Sequence, residues 1–261
     1  MRICRFINTD STEPRYGLID GGAIFPVAAG DVFARKFEPR DANERVPLDE
    51  ARLVAPVMPS KIVCVGRNYR EHAAELGNEM PAEPLLFLKA PSSLIGHADA
   101  ITLTPFSQQV EHEGELAVVI GRRARDLSDD ENPLDYVLGY TCANDVTARD
   151  LQRRDVQFTR AKSFDTFCPV GPYVVTDVDP LDLQVETRVN GEVRQRGRTS
   201  QMAFSVPFLV RYVSRMMTLE AGDLISTGTP AGVGPLCEGD TCEVEVEGIG
   251  TLRNPVRAPR V

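Results

Sequence analysis

Apolar residues run unbroken from Leu116 to Ile120, directly after the string Glu111-His112-Glu113-Gly114-Glu115. A short solid run of this kind, closed by Gly121, predicts a strand from Glu115 to Gly121. Lys61-Ile-Val-Cys-Val reads as another buried strand, and Tyr136 to Cys142 as a third. Cys242-Glu-Val-Glu-Val-Glu-Gly-Ile-Gly-Thr-Leu alternates with period two around a glycine turn, which predicts two paired strands. Asn190-Gly191 and Asp20-Gly21-Gly22 sit between β-rich runs and signal tight hairpins. Phe204, Phe208, Leu209, Tyr212, Val213, Met216 and Met217 recur at helical spacing, as one core-facing stripe. Asn68 to Leu76 has helix-forming content with Asn68 placed as its cap; Asp145 to Phe158 has it too, capped by Asp145 or Thr147.

These elements divide the chain. Residues 36–50 are polar, and Leu53 to Pro59 carries two prolines. A small β-rich N-terminal domain over 1–57 and a larger domain over 58–261 are expected. Strands dominate and rarely alternate with helices, so the expected class is α+β, β-dominated, and not a doubly wound parallel sheet.

The chain has 261 residues, 42% of them hydrophobic and 26% charged, which is ordinary for a globular protein and excludes wholesale disorder. Lys and Arg total 29 against 38 Asp and Glu, a net charge of −9. That balance argues against nucleic acid as partner, since phosphate binding needs a basic footprint. It leaves room for a small anion if a metal or local cations reverse the sign in a pocket. The runs Leu116–Ile120 and Leu85–Leu88 fall far short of the ~20 residues that span a bilayer, and no apolar stretch of signal length precedes Asp10. A soluble, cytoplasmic protein without a membrane partner is expected. Six cysteines at 4, 64, 142, 168, 237 and 242 include no Cys-x-x-Cys and read as reduced thiols.

The chemistry-bearing residues are sparse. In a strand Glu111, Glu113 and Glu115 project from one face, where like charges repel. They are either a solvated edge or a cation site, and oxygen-only ligands would select a hard ion such as Mg²⁺, Mn²⁺ or Ca²⁺. Asp145 follows a strand and is the best third ligand; it reads equally as a helix cap. His72 and Glu75 share a helix face at i, i+3, where the carboxylate can orient the imidazole as a general base; a surface His beside a surface acid is the plainer alternative. His97 reads as structural, and His112 points away from the acids. Lys162 could neutralise a carboxylate or an enolate, or could simply be solvated. Ser226 to Gly234 is glycine-rich but lacks the lysine and following helix of a phosphate loop; its amides and hydroxyls could hold a carboxylate, or it could be a plain turn.

Six blocks, taken together and in order, resemble the fumarylacetoacetate hydrolase superfamily over roughly residues 58 to 256. They are Val65-Gly66-Arg67-Asn68-Tyr69 with His72 and Glu75; Phe87-Leu88-Lys89; Glu113-Gly114-Glu115 with its apolar strand; Asn144-Asp145-Val-Thr-Ala-Arg149-Asp150-Leu-Gln152; Lys162-Ser-Phe-Asp165; and Gly222-Asp223 through Thr227-Gly228-Thr229-Pro230. The resemblance implies a rolled, mixed β-sheet catalytic domain with a small N-terminal domain, and a homodimer. It implies Mg²⁺ or Mn²⁺ held by Glu113, Glu115 and Asp145, with a small anionic 2-oxo acid as the partner that chelates the ion. It implies a His72–Glu75 dyad on a lid-like helix and a substrate-contacting Lys162. Arg67, Tyr69, Arg149, Gln152 and Thr229 would line the substrate. The activity expected first is hydrolysis of the C3–C4 bond of a 2,4-dioxo acid, of acylpyruvate or fumarylpyruvate type, to pyruvate and a carboxylic acid. Oxaloacetate decarboxylation or isomerisation of a 2-hydroxyhepta-2,4-diene-1,7-dioate type would use the same apparatus.

Overall fold

In the computed structural model, residues 1–8, 12–37 and 44–259 are described. Part of the polar stretch 36–50, residues 38–43, lies outside them, as do residues 260–261.

The apolar run becomes the strand Gly114–Ile120, buried along its whole length. Its alternate residues feed two cores. Leu116, Val118 and Ile120 pack with Val185, Val244 and Leu252, while Ala117 and Val119 pack with Leu138, Val170 and Ile3. Burial on both faces explains why the run is continuous rather than alternating. Val137–Asn144 and Leu224–Ser226 flank it, both antiparallel. Beyond Leu224–Ser226 lie Ile62–Gly66, in parallel, and Leu85–Lys89 at the edge. On the other side Val137–Asn144 leads through Cys168–Val175 to the N-terminal strands Arg2–Ile7, Arg15–Asp20 and Ala23–Val27. Segments 1–57 and 58–259 therefore share one sheet, joined where Arg2 pairs with Val175 and Ile3 with Val174. A five-stranded sheet contains Glu192–Arg198, Gln184–Val189, Thr241–Val246 and Gly250–Arg257 and covers one face of the first. The protein is β-dominated α+β with mixed sheets.

Both hairpins form as expected. Asn190 and Gly191 have φ of 55° and 81°, the paired positive values of a type I′ turn, and Gly21 and Gly22 do the same. Five cysteines are buried, Cys237 is exposed, and all six are free. His97 accepts the Arg253 amide and is structural. Among the described residues no helix is long and apolar enough to cross a membrane.

Three expectations need correction. The helix Val206–Met216 forms, but its buried stripe is Val206, Leu209, Val210 and Val213, whereas Phe208 and Met216 are 45% and 55% exposed. Phe204, Phe208 and Tyr212 stack on one another at 5.5 and 5.7 Å in a separate ladder. Apolar residues occupy too much of this helix's circumference for periodicity to choose the inward stripe. Residues 145–158 do not make one helix: Thr147–Ala148 pairs as a strand, and a short helix starts only at Arg149. Asn68 caps nothing. It is wholly buried, and its amide donates to the carbonyls of Phe204 and Thr227 and accepts the Phe204 amide.

The strand Leu224–Ser226 is clamped at its start by Asp223, which is fully buried. Its carboxylate accepts the amides of Ser60 (2.9 Å), Lys61 (3.1 Å) and Glu220 (2.7 Å), the Ser60 hydroxyl (2.7 Å) and the Lys61 ammonium. Burial would raise this carboxyl, but these donors outweigh burial and hold it below the ordinary value. Asp223→Ala should cost about 2–4 kcal/mol in urea unfolding. Because the folded value is depressed, the stabilisation is complete above the unfolded value near 4 and is lost as pH falls through the folded one. The gap between wild type and variant should therefore narrow below about pH 4.

Candidate active site

The ladder breaks at Glu113, between Val110–His112 and Gly114–Ile120. Glu113's amide donates to Asn144 Oδ1 (3.0 Å), and the Asp145 amide donates to the Glu113 carbonyl (2.8 Å). The break thus brings Asp145 beside Glu113, while Glu115 follows on the strand. A side chain at Gly114 would meet Thr187 Oγ1 at 2.0 Å, so only glycine passes here. One ligand oxygen from each of Glu113, Glu115 and Asp145 lies within 4.8 Å of the others, and all three residues are buried. Three carboxylates without sulfur or imidazole fit a hard divalent cation. The solvated-edge reading fails. Glu111 does not join the trio as the strand alternation suggested; past the break it pairs with Arg149 Nε (2.7 Å). His112 turns away and meets Gln195 (3.0 Å).

Buried cations answer the acids. Lys162 Nζ donates to Glu113 Oε2 (2.8 Å) and Asp145 Oδ2 (2.6 Å), Lys89 Nζ donates to Asp145 Oδ1 (2.5 Å), and Arg149 pairs with Glu113 Oε1. Asp145 therefore caps no helix; both its oxygens belong to lysines. Glu115 takes only neutral donors, the Ser226 hydroxyl (2.5 Å) and the Gly228 amide (2.8 Å). The electrostatics separate accordingly. Burial opposes ionisation of Glu113, but Lys162 and Arg149 overcome it and hold the carboxyl well below the usual range. Glu115 is pushed up to about 8 by burial and then by the charge of Asp145, against the pull of Ser226. Burial would lower the Lys162 ammonium, but Asp145 and Glu113 raise it, so it stays charged.

A cavity of about 470 Å³ opens over the trio. His72, Glu75, Arg67, Arg149, Gln152, Lys162 and Thr229 line it, with Val65, Leu85, Phe87 and Phe158 as apolar wall. His72 is buried on the short helix Arg70–Glu75, its Nδ1 3.3 Å from Glu75 Oε2. Glu75 is held in turn by the Gly232 amide (3.0 and 3.2 Å). Gly232 has φ of +101°, and a Cβ there would strike the Arg194 carbonyl at 2.1 Å. The glycine-rich loop does hold carboxylates with its amides, but they are the protein's own, Glu115 and Glu75. Gln152 accepts from Arg149. Thr229's hydroxyl donates to the Gly114 carbonyl (2.8 Å) and accepts from Gln195 (2.7 Å), so its proton is already committed. Arg67 is half-buried at φ 56°, with no partner among the described residues. Tyr69 is not on this cavity; it lines a smaller recess of about 210 Å³ with Gln201 and Pro230, and its buried hydroxyl meets no partner among the described residues.

Lys89, Gln195 and Gly232 were not singled out from sequence. Lys89 and Gly232 leave a trace there, the one in the block Phe87-Leu88-Lys89 and the other in the glycine-rich stretch Ser226–Gly234, but neither was given a role.

Comparison with known proteins gives a consistent result. Residues 61–257 match the family described as fumarylacetoacetate (FAA) hydrolase C-terminal, and residues 1–56 match an Rv2993c-like N-terminal family. The oxaloacetate tautomerase YisK of Bacillus subtilis is 45% identical over 263 residues, covering 91% of this chain and 87% of that one. The crystal structure of 2-hydroxyhepta-2,4-diene-1,7-dioate isomerase from Mycobacterium marinum is 44% identical with a TM-score of 0.88, covering 99% and 98%. A fumarylacetoacetate hydrolase from Exiguobacterium antarcticum is also 44% identical, with a TM-score of 0.87 and 99% of each chain covered.

Asp145→Asn and Glu113→Gln should each weaken Mn²⁺ binding by at least about 100-fold, beyond the loss typical of an outer-sphere partner. Equilibrium dialysis of EDTA-stripped protein checks this, with circular dichroism unchanged; Mn²⁺ affinity equal to wild type in both variants would remove the trio from consideration as a metal site.

Proposed function

The chain belongs to the fumarylacetoacetate hydrolase family, and from that premise we propose that it is a divalent-metal-dependent tautomerase or isomerase. It moves a proton on the carbon next to the 2-oxo group of a small dicarboxylic acid. The observation that carries this reading is one cavity shared by the oxygen-only trio, a carboxylate-oriented imidazole and the guanidinium of Arg67, which has no partner among the described residues. The similarity to an oxaloacetate tautomerase and a dienedioate isomerase favours proton transfer over the water-driven C–C cleavage that the sequence suggested first.

Glu113, Glu115 and Asp145 would hold the ion, which when bound supplies a Lewis acid that polarises the 2-oxo group and acidifies the neighbouring C–H. Glu75 on Nδ1 favours the tautomer with its proton there, leaving Nε2 of His72 as the base that takes the C3 proton and returns it. Lys162 spends two of its three N–H bonds on Glu113 and Asp145; the third, without a hydrogen bond among the described residues, would meet negative charge as it develops on the substrate. Arg67 suits the far carboxylate, because a guanidinium with no partner among the described residues has no ion pair there to break before it binds an anion. The apolar wall of Val65, Leu85, Phe87 and Phe158 limits water near the base.

Enol–keto interconversion of oxaloacetate, followed by enol absorbance and by deuterium exchange at C3, tests this. With Mg²⁺ present, turnover is expected, and His72→Gln should reduce it by about 10²–10⁴-fold. Arg67→Gln should raise KM for dicarboxylates at least about tenfold, the value of a charge-assisted contact, and leave monocarboxylic 2-oxo acids unaffected. A protein that cleaves acetylpyruvate or fumarylpyruvate but neither tautomerises oxaloacetate nor isomerises a 2-hydroxymuconate-type dienoate would instead be the hydrolase.

A further inference from the structure

Lys89 ends the edge strand Leu85–Lys89 and turns its side chain inward, where 1% remains exposed. Its ammonium donates to Asp145 Oδ1 (2.5 Å) and to the Val146 carbonyl (3.2 Å). Unlike Lys162, it has no place on the cavity wall, so it does not touch a substrate. Geometry alone does not require it. Asp145 is already fixed by its amide bond to the Glu113 carbonyl and by Lys162 on its other oxygen. A wholly buried ammonium costs several kcal/mol of desolvation, and a neutral donor could have made the same hydrogen bond.

What Lys89 adds is charge. With all four carboxylates ionised, Glu111, Glu113, Glu115 and Asp145 face three buried cations, Lys89, Arg149 and Lys162, leaving one net negative charge. A divalent ion turns that into one net positive charge, which suits an anionic ligand. Without Lys89 the loaded site would be neutral. We infer that Lys89 sets the charge of the site: its fixed positive charge loosens the hold on the divalent ion and tightens the hold on the anion that follows. It is a positioning residue of an electrostatic kind, acting through Asp145, and its role rests on the metal-site reading above.

The test separates charge from hydrogen bonding. Lys89→Gln keeps a donor for Asp145 and removes the charge, whereas Lys89→Arg keeps the charge; Lys89→Met is a second neutral variant. Mn²⁺ binding to metal-stripped protein is read by electron paramagnetic resonance of the free ion. Oxalate binding to the Mn²⁺-loaded protein is read by calorimetry. Either neutral variant should bind Mn²⁺ at least about tenfold more tightly than wild type and oxalate at least about tenfold more weakly, a floor well below the full effect of one unit charge at short range in an effective dielectric near 20. Lys89→Arg should match wild type on both counts. A positioning role through hydrogen bonding alone moves Mn²⁺ affinity the other way, so equal or weaker Mn²⁺ binding in the neutral variants overturns the inference while leaving the metal site standing. Failure of both neutral variants to fold overturns it too, since Lys89 would then be structural. Wild type that binds no Mn²⁺ removes the metal site and this inference together.

Discussion

Three carboxylates whose oxygens lie within 4.8 Å of one another, all buried, repel each other by about 4 kcal/mol per pair at an effective dielectric near 20. A fold that builds such a cluster must answer it, and the answers differ around the ring. Glu113 and Asp145 are met by Lys162, Lys89 and Arg149, whose own burial is tolerable only because the acids are there. Glu115 gets a hydroxyl and an amide instead, and its carboxyl is pushed up, whereas that of Glu113 is held down. Two acids of the trio and the three cations therefore stabilise one another. Removing Glu113 takes a buried partner from both Lys162 and Arg149, and removing Asp145 takes one from both Lys162 and Lys89.

The scaffold carries this load with main-chain geometry. The break at Glu113 needs Gly114, because Thr187 occupies the space of a side chain. Gln195, reaching in from the five-stranded sheet, accepts the Gly114 amide and donates to Thr229 and Pro230, and so ties both sheets to the loop that serves Glu115. Four polar contacts on one buried amide satisfy it completely, which is what a buried side-chain amide needs if it is not to destabilise the core.

Much of this was legible in the sequence because it is local. The apolar run, the hairpins with their positive-φ pairs and the Glu113–Glu115 spacing depend on residues near one another. The nomination of Asp145 required only that it follow a strand. Misreadings arose where distant contacts override local preference. Asn68 and Asp145 both have good capping side chains, and both are used elsewhere, on Phe204 and Thr227 in one case and on two lysines in the other. Glu111 looked like a member of the acidic row until the strand break redirected it to Arg149. Tyr69 sits in a matching block, yet its ring points to a recess beside Pro230 rather than to the cavity. Lys89 could not be assigned at all, since its partner lies 56 residues away and nothing in the run before it signals burial.

His72, the proposed base, is held differently from the trio. Six residues are too few for a helix to hold itself together in water, so the position of His72 is set by tethers. Asn68 grips Phe204 and Thr227, Tyr69 bridges to Met202, and Glu75 accepts the Gly232 amide. All of them land on residues 202–232, and none lands on the strands that carry Glu113, Glu115 and Asp145. Glu113 and Asp145 are locked by buried ion pairs, each costly to break, whereas the helix that carries His72 hangs on a few hydrogen bonds, those to Glu75 solvent-facing. Firmly held acids beneath a more loosely held imidazole would suit the proposed proton transfer, because a base of that kind has to reach the carbon, withdraw with the proton and return it while the substrate stays fixed.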